Sequence, residues 1–153
     1  MKEELARRGY WWPEGRRKKA PVLVLPEDDT FTLRALASVL HDIYVAAENI
    51  FELVARDLDE QLPPGPSWHQ ELPRQMTLAI PEGRPPVLRK ETAAELDEHR
   101  AFRHVFRNVY GFNLDTWRLE QLLRKLPRAY GDLQTDVQDF LAALRASLPD
   151  HDQ

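Results

Sequence analysis

The chain has 153 residues, enough for one domain with a single helical core. Cysteine is absent, which excludes disulfides, thiolate metal ligands and a cysteine nucleophile. No apolar run approaches the ~20 residues needed to cross a bilayer, and the basic N-terminus is not followed by the apolar stretch of a secretory signal. A soluble, cytoplasmic protein with no membrane contact is the expectation. The net charge of −4 hides an asymmetry, because residues 1–20 carry seven Lys/Arg against three Glu. A basic arm on an acidic body argues against bulk coating of nucleic acid and confines any such contact to local patches.

Residues 1–27 show no sustained helical period and are punctuated by Pro13, Gly15, Pro21 and Pro26. They read as a basic, aromatic, loosely ordered arm, in which "PVLVL" is a short strand or an extended segment. "RRGYWWPEGRRKK" interleaves cations with Tyr10, Trp11 and Trp12. That mix suits single-stranded nucleic acid, where bases stack and phosphates pair, but a disordered arm or an aromatic plug packed on the body is the favoured reading, and partner docking is a further one.

The longest regular signal runs over residues 30–62. Leu33, Leu36, Leu40, Ile43, Ala47, Ile50, Val54 and Leu58 recur at steps of three and four, which is one face of an α-helix. Asp28, Asp29 and Thr30 supply capping chemistry at its start, and "LPPGP" is expected to stop it at Leu62. On this helix His41, Tyr44 and Glu48 form a stripe of their own, read as a helix–helix contact or as residues lining a cleft. A second helix is expected over 67–80, with Ser67 and Gln70 as a capping box and Pro73 kinking or shortening it. His69 beside its start reads as surface. "PEGRPP" is a loop.

A third helix is expected from near Thr92 to Gly111. Asp115 looks like the N-cap of a fourth. Pro127 is expected to interrupt that one and to open a further helix at its first turn. Leu133, Val137, Phe140, Leu144 and Leu148 continue a helical face, and Pro149 ends it. Strand signals are nearly absent. The fold class expected is all-α, a bundle of four or five helices over 28–149, followed by a tail at 150–153.

The third helix holds the densest chemistry, in "EHRAFRHVFRNVYGF" (98–112). At ~100° per residue, Phe102, Val105, Phe106 and Val109 fall on one side. Arg100, Arg103, His104, Arg107 and Gly111 fall on the other. Asn108 borders this polar side near His104, and Tyr110 borders it near Arg103. One reading is a solvated face, salt-bridged to acidic neighbours such as Asp97. The other is an anion site, in which arginines hold a phosphate and an imidazole moves protons. His99 and His104 are five apart, which does not match metal-binding His-Glu-x-x-His, and no glycine-rich phosphate loop or Gly-x-Ser-x-Gly elbow occurs. No metal and no cofactor are expected.

"FRHVFRNVYGF" resembles the signature of the HEPN superfamily, most closely its HepT-like toxin branch, whose Arg-x4-His-x-Tyr motif lies late in a helix of an all-α bundle. Arg103 matches the motif arginine, Asn108 stands in the histidine slot, Tyr110 matches the tyrosine, and His104 takes the polar position after the arginine. The leading helix, with "ALASVLHDIYVAAENIFELVA" (35–55), resembles that branch as well. The resemblance implies a homodimeric, metal-independent endoribonuclease that cuts RNA through the ribose 2′-OH. Arg103, His104 and Asn108 would then be catalytic, and Arg100 and Arg107 would bind RNA phosphates. It also implies an MNT-type nucleotidyltransferase antitoxin as partner, which adds AMP to the motif tyrosine, here Tyr110. Asn108 departs from the pattern, because a carboxamide cannot exchange a proton near neutral pH. Loss of the acid–base group would remove ~10²–10⁴-fold of rate. The alternative is therefore a catalytically inactive HEPN module that binds RNA or the partner without cutting.

Overall fold

The computed structural model describes Leu25, residues 28–108 and residues 115–147, with the backbone alone for 104–108. The arm, "PVLV", Val109 to Leu114 (and with them Gly111), Pro149 and the tail lie outside the described residues. Four helices are described: α1 (Thr30–Asp57), α2 (Trp68–Met76), α3 (Lys90–Asn108) and α4 (Thr116–Ser147). The all-α expectation holds. The sole β feature among the described residues is an isolated bridge between Ile80 and Arg84.

α1 begins as the sequence suggests. Asp29 is its N-cap, accepting from the Thr32 N–H at 3.0 Å and from the Thr32 hydroxyl at 2.6 Å. Its end is a correction, since the helix stops at Asp57, short of Leu62. The chain unwinds where Glu60 takes a positive φ of 52° and Gln61 donates back to the Ala55 carbonyl at 2.9 Å. This turn carries Asp59 inward onto Arg84. The Arg84 Nε donates to Asp59 Oδ1 at 2.5 Å and Nη2 donates to Oδ2 at 2.7 Å, with both side chains almost wholly buried. A buried, two-pronged pair of this kind fixes the "PEGRPP" loop under the end of α1.

The buried face of α1 is also rotated from the expected one. Leu33, Leu40, Ala47 and Val54 are shared, but the residues between them are Ala37, Tyr44 and Phe51. Ile50 and Leu58 are exposed, and Leu36 and Ile43 are half-buried. Two apolar clusters result. One joins Tyr44, Phe51 and Val54 to Leu72 and Met76 of α2, Leu96 of α3, and Leu133 and Phe140 of α4. The other joins Leu33, Ala37 and Leu40 to Phe102 of α3 and to Leu119 and Leu122 of α4, with Leu25 against them.

α2 has Ser67 at its N-cap, but the side chain makes no capping bond, so the expected box with Gln70 is absent. Gln70 instead donates its backbone N–H to the Ser67 carbonyl at 2.8 Å. Pro73 lies inside this nine-residue helix and cannot donate to the His69 carbonyl one turn earlier.

Asp115 does cap α4, accepting from the Arg118 N–H at 3.0 Å. The expected break at Pro127 does not occur, because α4 runs through it without interruption. Pro127 itself is exposed, while Leu119 and Leu122 before it and Ala129, Leu133 and Phe140 after it are all buried. Burial of that shared face outweighs the one hydrogen bond proline removes. α4 also ties down the start of α3. Asp136 accepts from the Arg89 N–H at 2.9 Å and from its Nε at 2.5 Å. Those bonds raise the Arg89 pKa above its ordinary value.

Candidate functional site

Three helices converge on one carboxylate. Glu48 stands on α1 between Tyr44 and Phe51, with its side chain 6% exposed. Its Oε2 accepts from Nη1 of Arg103 on α3 at 2.5 Å. Its Oε1 pairs with Nδ1 of His69 on α2 at 2.9 Å. An ionised carboxylate can only accept, so Nδ1 of His69 carries the proton. The His69 ring is stacked on Trp68, with centroids 3.5 Å apart. The buried α2 residues Leu72 and Met76 hold that helix against α1.

Arg103 is 15% exposed, and its Nε is buried with no hydrogen-bond partner among the described residues. A guanidinium presents five N–H donors in a planar fork, and the carboxylate engages this one at Nη1. The Tyr44 hydroxyl, one turn before Glu48, is likewise buried and unbonded among the described residues. Burial, reinforced by the Glu48 charge, pushes its pKa well above the ordinary phenol value. Arg100 and Arg103 pull in the opposite direction. The cluster is thus a low-dielectric patch that holds a carboxylate, two arginines and a neutral phenol.

The polar side of α3 expected from the wheel is therefore no open strip at Arg103, since Glu48 of α1 engages its mostly buried guanidinium. Arg100 is tied to Asp97 at 2.6 Å, the pairing expected of a salt-bridged face. His99, behind it, is buried and turned onto the Glu95 carbonyl of its own helix at 3.1 Å. Arg103 and Arg100 are the sequence-chosen residues whose side chains are described. The side chains of His104, Arg107 and Asn108, and all of Tyr110, lie outside the described residues.

Sequence reasoning missed Glu48 as the partner of Arg103 and His69 as the second partner of Glu48. Glu48 belongs to the His41–Tyr44–Glu48 stripe, and a carboxylate beside the apolar position Ala47 is the sequence signal for a cationic partner. His69 reads as surface in the sequence, whereas the structure half-buries it against Glu48. Nothing local marks that contact, which spans 21 residues. No group of three or more His, Cys, Asp or Glu among the described residues could hold a metal ion. No helix among them is long and apolar enough to cross a membrane.

The model of the HepT-like protein family matches residues 35–144. The matched span starts in α1, ends in α4 and takes in Glu48, His69, Arg103 and Tyr110. No curated protein and no solved structure matches the chain. The match covers well over half of the sequence and agrees with the helical architecture and with the motif arginine on α3, so the chain belongs to the HepT-like family of HEPN proteins.

Proposed function

We propose that this HepT-like chain is a toxin-type endoribonuclease, working as a homodimer, that cuts RNA by attack of a ribose 2′-oxygen on the adjacent phosphorus. The observation that carries this reading is Arg103. The motif arginine is gripped at Nη1 by a buried carboxylate while Nε has no partner among the described residues. A guanidinium fixed in this way is positioned in advance for charge that develops during the reaction. In that reaction the 2′-OH loses its proton as the 2′-O–P bond forms. Negative charge builds on the non-bridging oxygens, and the P–O5′ bond breaks as the leaving oxygen takes up a proton. Arg103 offsets the charge, His104 supplies an imidazole for proton transfer, and Asn108 orients groups by hydrogen bonding. Arg100 and Arg107 hold flanking phosphates. This chemistry asks nothing of a metal ion. Two such helices facing each other across a two-fold axis would complete the cleft. Tyr110 would accept AMP from an MNT-type nucleotidyltransferase partner.

Two observations favour a second reading, a module that binds RNA or the partner without cutting. Asn108 occupies the histidine slot, and the Arg103 charge already has a carboxylate against it. An RNA cleavage assay in EDTA separates the two. The nuclease reading expects slow cutting by wild type, with 2′,3′-cyclic phosphate ends. It also expects a fall of roughly tenfold or more for His104→Ala and a gain for Asn108→His. Inert wild type together with active Asn108→His selects the binding reading. Light scattering at micromolar concentration should give a dimer. Intact mass after coexpression with an active nucleotidyltransferase should show one added adenylyl group, absent from Tyr110→Phe.

A further inference from the structure

We propose that His69, a residue outside the motif helix, is the general base of the site, oriented by Glu48 beside Arg103; this rests on the RNA-cutting reading above. The two oxygens of the Glu48 carboxylate hold the imidazole and the guanidinium as neighbours, at 2.9 Å and 2.5 Å. Because Nδ1 of His69 donates to the carboxylate, the neutral ring presents its lone pair at Nε2, the form a base requires. The carboxylate also stabilises the imidazolium formed once a proton is taken. Access agrees with this role. The His69 side chain is 37% exposed, whereas His99 on α3 is only 5% exposed and is turned onto a backbone carbonyl.

Rigidity agrees as well. The ring is stacked on Trp68, and α2 is pinned into the core by Leu72 and Met76. Asn108, in the slot where the family motif carries its imidazole, cannot exchange protons, and the Glu48–His69 pair supplies that capacity from another helix to the same arginine. In the step assigned to it, His69 Nε2 accepts the 2′-OH proton as the 2′-oxygen bonds to phosphorus. The P–O5′ bond breaks, and the 5′-oxygen leaves with a proton drawn from water or from His104. The products are a 2′,3′-cyclic phosphate and a 5′-hydroxyl.

The main competing role is a structural tie between α2 and α1, and His69→Asn distinguishes it. Asparagine keeps an N–H donor for Glu48 but exchanges no proton, so a tie survives the change and a base does not. With the full-length chain and a labelled single-stranded RNA in EDTA, His69→Asn should cut at least ~10²-fold more slowly than wild type. Its melting temperature and RNA binding should stay close to wild type. Free imidazole should restore part of the rate of His69→Ala. His69→Asn cutting as fast as wild type overturns the proposal and leaves the nuclease reading intact. Inert wild type with active Asn108→His selects the binding reading and overturns this proposal with the nuclease reading, because the dyad then supplies nothing. If wild type and Asn108→His are both inert, the nuclease reading falls and takes this proposal with it.

Discussion

Arg84 and Arg103 each bring a guanidinium onto a carboxylate from another segment, and they differ in how much of the fork the fold consumes. Arg84 is almost fully buried and spends Nε and one Nη2 proton on Asp59, Nη1 on the Leu78 and Pro85 carbonyls, and the other Nη2 proton on the Gln75 carbonyl. All five donors are accounted for. Arg103 is more exposed, grips Glu48 at Nη1, and has a buried Nε with no partner among the described residues. A saturated arginine serves the fold, because any unmade bond at that depth would be costly. An arginine held at one corner among the described residues is positioned without being used up by them, which is what a phosphate-binding or charge-stabilising role requires.

The largest stability effect should therefore come from Arg84. Arg84→Ala leaves the buried Asp59 carboxylate with the Gln75 amide but no cation and should cost about 3–5 kcal/mol, read by urea denaturation. Glu48→Ala should cost less, about 1–3 kcal/mol, because His69 and Arg103 are partly exposed and can turn toward water. Equal losses in the two variants would break the distinction drawn between the arginines. Pro127→Ala should stabilise α4 by about 1–2 kcal/mol, since restoring one helical hydrogen bond and removing the ring's clash at an exposed position outweighs the unfolded-chain entropy that loss of the proline returns. No gain there would mean that α4 depends on proline at that position.

The smallest effect is at Asp29, whose carboxyl is held below its ordinary value of 3.8 by bonds from the Thr32 hydroxyl and N–H. Its contribution is complete above that ordinary value and is lost as pH falls through the lower folded value. The protection factor of the Thr32 amide should fall over that acid range in wild type, and should be low throughout in Asp29→Ala.

The sequence made the class of fold legible because spacing of three and four needs no tertiary information. It left the phase of α1 open, since Leu33, Leu40, Ala47 and Val54 are common to two adjacent faces. Ile43 and Ile50 look more apolar than Tyr44 and Ala37, yet the latter two are buried. Small Ala37 and flat Tyr44 and Phe51 face the other helices, a choice made by their partners. Pro127 misled for a related reason, since its local penalty is visible in sequence while the buried face on either side of it is distributed over α1 and α3. At the site, Arg103 was legible from the motif. Its anchor was not, because Glu48 lies 55 residues away and His69 on a third helix.

The central claim is that Arg103 is kept for phosphate chemistry and not for holding α3 to α1. The most direct measurement is the RNA cleavage rate of Arg103→Lys. Lysine keeps the positive charge that Glu48 needs but loses the planar fork. The account predicts a rate lower by roughly 10²-fold or more, with a melting temperature near that of wild type. Arg103→Lys cleaving as fast as wild type would contradict it.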